Sequence, residues 1–240
     1  VLAVLVAEDL GERRQSRARH GRGGKQRRRL KRPGRRDIDD GATALALPGL
    51  VALPAHAQSK SDKGYLDVKP RAPVTAPAGQ IEVVEFFSYG CVHCMNFDPM
   101  FQAWKKAAPK DVVVRLEHVG FNSGFEPLQR IFYALEAMGK VDAVHSKVFD
   151  ALQKQRVRLD KPDVLFPWIA EQGVDRAKFE AAYKSFGVAT KIRQVAQLQE
   201  AYKVEGTPAL GIAGRYYTDG SLGGGFERMV QITNNLIAQE

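Results

Sequence analysis

The spacing of apolar residues changes period along the chain, and each change marks an element. Ile81-Glu82-Val83-Val84-Glu85-Phe86-Phe87 is short, β-branched and aromatic, and almost continuously apolar, which predicts a central strand. Beyond Gly90 the period becomes helical: Phe97, Met100, Phe101 and Trp104 predict a helix over Val92–Ala108, kinked at Pro99 and ended by Pro109. Val112–Val119 reads as a second strand, and strand–helix–strand order implies parallel pairing. From Asn122 to about Gly187 only helical spacing appears. A first helix runs from Pro127 to Gly139, and a second from Asp142 through Leu152. A third follows Asp160 as far as Gly173, and a fourth is capped by Asp175. A helix at Ala189–Lys203 leads to a strand opened by Pro208 and another at Tyr216–Tyr217. A loose loop over Gly220–Gly225 and a closing helix from Phe226 to Ile237 complete the chain. Ahead of the first strand lie one short extended segment, Gly64–Val68, and a proline-bearing linker to Ala78. The order predicts an α/β fold with an inserted all-helical domain: residues 62–121 and 188–240 are the two parts of the sheet domain, and 122–187 are the insert.

Charge changes this picture only at the N-terminal end. The chain carries a net +9, but residues 1–57 hold 13 Lys+Arg and 6 Asp+Glu, while the remaining 183 residues hold 23 and 21. The globular part is nearly neutral, so the basicity gives no reason to expect nucleic acid as its partner. Arg27-Arg28-Arg29-Leu30-Lys31-Arg32, an apolar small-residue run from Ala42 to Leu53, and Ala55-His56-Ala57 predict an export signal cleaved after Ala57. The apolar run is too short to span a membrane. Residues 1–36 are Arg- and Gly-rich and fit no packed domain. They read either as a disordered or artefactual extension or as a basic nucleic-acid-binding tail, and N-terminal sequencing of the exported protein separates the two.

The chemistry lies where the first strand meets the first helix. Cys91-Val92-His93-Cys94 holds both cysteines of the chain, in the C-x-x-C spacing of thioredoxin-like redox dithiols. A helix start favours negative charge, so Cys91 is the expected nucleophile; Cys94, one turn in, resolves the mixed disulfide. His93 is expected to donate to the Cys91 thiolate or to add positive charge beside it. Rival readings need residues that are missing. Zinc wants about four ligands, which would require His118 and His145 to converge on the cysteines. Covalent haem wants His directly after the second cysteine, where Met95 stands. A structural bridge closing so short a loop restrains the unfolded chain little. No metal and no cofactor beyond the Cys91–Cys94 disulfide is expected. Glu85, six residues before Cys91, either lies buried beneath the dithiol as a proton relay for Cys94 or faces solvent at the strand edge. His118 reads as a structural strand residue, and His145 as a partly exposed helical one. The sequence admits a cis Thr207–Pro208 bond.

Glu85-Phe86-Phe87-Ser88-Tyr89-Gly90-Cys91-x-His93-Cys94, the helical insertion and Gly206-Thr207-Pro208 together resemble the DsbA family of periplasmic thiol–disulfide oxidases, over roughly Tyr65–Gln239. The resemblance implies a thioredoxin fold and a Cys91 that hands its disulfide to newly exported proteins. It further implies a cis-proline loop at Thr207–Pro208 that binds substrate with Tyr89, and re-oxidation by a DsbB-type membrane quinone oxidoreductase. It places the chain in the periplasm, as a monomer. Val-His replaces the commoner Pro-His between the cysteines, Thr207 stands where the best-known members carry Val, and Leu116 stands where a basic residue often lies near the glutamate. The first two departures bear on oxidising strength rather than reaction class. The alternatives are a disulfide reductase or isomerase, though isomerases usually add a dimerisation segment, and a peptide-holding chaperone with an apolar surface near Phe87, Tyr89 and Pro208.

Overall fold

The computed structural model describes residues 62–240, so the leader expected over residues 1–57 lies outside the described residues. In chain order the sheet half begins with β1 (Leu66–Asp67), β2 (Ile81–Phe87), α1 (Val92–Ala107) and β3 (Val112–His118). Helices follow: α2 (Glu126–Ala137), α3 (Val141–Phe149) running into a π-helical turn at Asp150–Lys154, α4 (Pro162–Glu171), α5 (Arg176–Tyr183) and α6 (Phe186–Tyr202). The chain returns through β4 (Ala209–Ile212), β5 (Tyr216–Asp219), α7 (Gly220–Gly223) and α8 (Phe226–Ile237).

The sheet order is β1-β5-β4-β2-β3. β2 pairs with β3 in parallel, Glu85 opposite Leu116 and Phe87 opposite His118, as a strand–helix–strand crossover requires. Its other edge pairs antiparallel with β4, Glu85 opposite Leu210. Because β2 is central it is covered on both faces: Phe86 meets the Tyr202 ring of α6 at 5.1 Å, while Phe87 meets Phe132, His145 and Phe149 on the opposite face. Through those rings one apolar core continues from the sheet into the inserted helices. The architecture is the α/β thioredoxin fold with a helical insertion.

Two elements differ from the periodicity. α6 begins three residues before the predicted Ala189, because Ser185 Oγ accepts the Val188 N–H at 3.1 Å and starts the helix at Phe186, a side chain left 79% exposed. The segment expected as a loose loop holds the helical turn α7, capped by Asp219 Oδ1, which accepts the N–H groups of Ser221 and Leu222 at 2.9 and 2.8 Å.

Candidate active site

β2 ends at Phe87, and the chain must turn before α1 can start. Ser88 makes the turn: its carbonyl accepts the Cys91 N–H at 3.0 Å and its hydroxyl accepts the Gly90 N–H at 3.2 Å. Cys91 then occupies the N-cap of α1 with extended backbone, and its sulfur accepts the Cys94 N–H at 3.4 Å, the bond a serine or aspartate makes in an ordinary cap. Across the cleft the Thr207–Pro208 bond is cis, and the Cys91 thiol donates to the Thr207 carbonyl at 3.3 Å.

The two sulfurs are in opposite environments. Cys91 is half-buried and its pKa is lowered to about 5. The largest cause is the hydrogen bond it accepts from the Cys94 thiol. The Thr207 side chain and the N–H groups of Cys94 and His93 add to it, and together these outweigh the penalty of burial. Cys94 is fully buried, and that burial, followed by the neighbouring Cys91, pushes its thiol far up. One sulfur therefore ionises easily while the other keeps its proton.

The expected site residues fall as follows. His93 is exposed and lines the cleft; its backbone N–H serves Cys91, and among the described hydrogen bonds none joins its imidazole to the sulfur. Thr207 is half-buried and Pro208 buried, both on the wall of a cleft of about 520 Å³ that Asp219, Gly220 and Phe226 also line. Glu85 is 2% exposed and its Oε2 has no hydrogen-bond partner. Burial first, then the Asp98 carboxylate, push its pKa well up, and Lys105 opposes them. Of the two readings of Glu85, burial holds. Tyr89 was expected to bind substrate but is fully buried, with its ring packed on Phe87 and Phe149 and its hydroxyl 3.0 Å from His145 Nδ1. That ring presents no surface to a substrate. Phe87 is likewise fully buried, so the apolar surface expected of a peptide-holding chaperone is not exposed at either residue.

Sequence reading missed a polar cluster behind the cysteines. His145, expected to be partly exposed, is 4% exposed. Its Nε2 lies 3.3 Å from Asp98 Oδ1, and a single set of donors satisfies the chain: Tyr89 O–H to Nδ1, then Nε2–H to Asp98. Burial would raise Asp98, but hydrogen bonds from His145, Gln102 and Ser146 outweigh it and hold the carboxyl below its ordinary value. His118 is buried in β3, with Nε2 accepting the Tyr89 N–H at 3.0 Å and Nδ1–H donating to the Val119 carbonyl at 3.0 Å. Burial lowers its pKa to about 3. Among the described residues no group of three or more His, Cys, Asp or Glu gathers around a metal position.

Residues 82–236 match the family model described as DSBA-like thioredoxin domain. The chain belongs to the DsbA family. Relatives include the thiol:disulfide interchange protein DsbA of Bordetella parapertussis, 41% identical over 199 residues, spanning 82% of this chain and 93% of the relative. That of Pseudomonas aeruginosa is 35% identical over 198 residues, spanning 82% and 93%. The crystal structure of Pseudomonas aeruginosa DsbA superposes with a TM-score of 0.70 at 34% identity, covering 74% of this chain and 92% of that one. The DsbA of Xylella fastidiosa gives 0.68 at 30%, covering 73% and 94%. As a DsbA-family member the chain is a thiol–disulfide oxidoreductase.

Proposed function

We propose that the Cys91–Cys94 disulfide is donated to reduced cysteines of newly exported proteins. A substrate thiolate attacks Cys91 Sγ, forms a mixed disulfide and expels the Cys94 sulfur, which takes up a proton. A second substrate thiolate then attacks the substrate sulfur of that mixed disulfide and expels Cys91 as thiolate. The substrate gains a disulfide, and two electrons pass to the Cys91–Cys94 dithiol. The observation that carries this direction is the stabilisation of ionised Cys91, with a pKa near 5. Those stabilising contacts act on the reduced form alone, which makes the oxidised form the stronger oxidant. Family preference for a disulfide donor over a reductase agrees with it.

Buried Glu85 is the proton relay for Cys94, which must be protonated as it leaves. His93 acts through its N–H and as a cleft wall, and the Thr207–Pro208 loop binds substrate backbone beside Cys91. The dithiol needs no other cofactor, and a DsbB-type membrane quinone oxidoreductase restores the disulfide. The mature protein works as a periplasmic monomer that does not bind nucleic acid and begins at Gln58; N-terminal sequencing of the exported chain checks that start. Among the described residues no helix is long and apolar enough to cross a membrane.

The test is the equilibrium of the purified protein with a glutathione redox buffer. A donor stays reduced until the buffer is far more oxidising than one that oxidises an ordinary structural disulfide, whereas a dithiol that oxidises as readily as a structural pair would overturn the reading. In parallel, Cys94→Ser should stay linked to an oxidised substrate whose disulfide its Cys91 thiolate attacks, one substrate cysteine leaving as thiolate, and Cys91→Ser should abolish oxidation of reduced substrates.

A further inference from the structure

Tyr89 is gripped at all three of its polar groups. Its N–H donates to His118 Nε2 at 3.0 Å, its carbonyl accepts Gln153 Nε2 at 2.7 Å, and its hydroxyl lies 3.0 Å from His145 Nδ1. Two of those three partners, His145 and Gln153, come from the helices inserted between β3 and α6. The same helices hold the other side of the redox turn: Asp98, four residues after Cys94, meets His145 Nε2 at 3.3 Å and Ser146 Oγ at 3.0 Å. The Cys91–Cys94 turn thus hangs between two anchors, Tyr89 before it and Asp98 after it, and α3 with its π-turn grips both. Gln153 is presented by that π-turn, where Gln155 N–H bonds the Asp150 carbonyl at 3.0 Å, five residues back. Such turns are rare and recur at functional sites.

None of the described hydrogen bonds of His145, Gln153 or Asp98 reaches either sulfur. What reaches Cys91 Sγ is the N–H of Cys94, the N–H of His93, the Cys94 thiol and the Thr207 loop, and their aim depends on the backbone path from Ser88 to Cys94. We propose that His145 and Gln153 are positioning residues, fixing that path so that the helix-start N–H groups and the Thr207 loop converge on the Cys91 sulfur. This deepens the reading of Cys91 as the exchanging sulfur and rests on it. The insertion is then part of the redox centre: it sets how strongly the thiolate is held, and so how readily the disulfide is given up.

The test uses the full-length reduced protein and titrates the Cys91 thiolate by its ultraviolet absorbance, alongside chemical denaturation. Gln153→Ala and His145→Gln are each expected to raise the Cys91 midpoint by roughly one pH unit, about a tenfold loss of thiolate below the midpoint. Lys154→Ala, on the same π-turn but paired with Asp150, is expected to leave the midpoint in place. If Gln153→Ala and His145→Gln lower the denaturation midpoint while the Cys91 midpoint stays put, the contacts are a structural brace and the proposal fails. Should His145→Gln not fold, Gln153→Ala decides alone, since its side chain is only half-buried. The titration needs no substrate, so its failure is distinct from a failure of disulfide donation.

Discussion

A cysteine that loses its proton near pH 5 makes a sharp claim about pH. Alkylation of reduced protein at Cys91 should be flat above about pH 6 and fall about tenfold per unit below 5, because only the thiolate reacts. Stability follows the same group. Cys91 ionises at a lower pH folded than unfolded, so its contribution to the reduced protein is complete above the unfolded value, roughly 8.5. It is lost as pH falls through 5, and denaturation of reduced wild type against Cys91→Ser should show the gap closing over that window. Glu85 has the opposite sign. Its pKa is raised in the fold, so the cost of holding it appears as pH rises above the ordinary carboxylate value. Glu85→Gln is expected to stabilise the protein at neutral pH, by about 1.4 kcal/mol for each pH unit above the ordinary carboxylate value until the raised pKa is reached, and by nothing at pH 3. An equal effect at both pH values would show that Glu85 is not held protonated by burial. The dithiol was legible because spacing alone carries it. Glu85 was not, because β2 is buried on both faces and alternation loses its meaning there. Tyr89 and His145 are 56 positions apart, and no local pattern announces a contact over that distance.

At the scale of elements, sequence reading succeeded where one apolar stripe faces one core and failed where polar side chains set the boundary. The α1, α2, α4 and α8 stripes were readable from Phe97, Ile131, Ile169 and Ile232 because each is buried on its predicted face. The start of α6 was not, since Ser185 caps a first turn holding an exposed Phe186 and Gly187. Packing between elements can be tested at Gly211 of β4. A Cβ there would lie 2.5 Å from Tyr202 Cε1, and that ring cannot swing away freely because its hydroxyl accepts the Gly214 N–H at 3.0 Å. Gly211→Ala should therefore lower stability by about 1–3 kcal/mol, the usual cost of overpacking. The loss should be read as a reduced denaturant midpoint at unchanged slope.

At the scale of the whole molecule, the open matter is whether the sheet half and the inserted helices unfold as one. Glu117 of β3 bears on it directly. Its carboxylate is 1% exposed and receives Arg115 from its own strand, Lys191 of α6 at 3.2 Å and the Tyr133 hydroxyl of α2 at 3.2 Å. Arg115 reaches on to Glu82 of β2 at 3.0 Å. One buried charge thus joins sheet, insertion and returning helix. Glu117→Gln keeps the shape and removes the charge. It should cost about 3 kcal/mol, the low end for breaking a buried pair, because the Arg115 and Lys191 side chains keep 22% and 28% of their exposure and can be partly rehydrated. The chain supplies its own reporters, since its two tryptophans fall one in each half, Trp104 in α1 and Trp168 in α4. In single-tryptophan variants both fluorescence transitions should coincide, and Glu117→Gln should shift them together. A shift confined to Trp168 would mean that the insertion melts by itself, and a redox turn anchored to it at Tyr89 and Asp98 would then lose its footing before the sheet does.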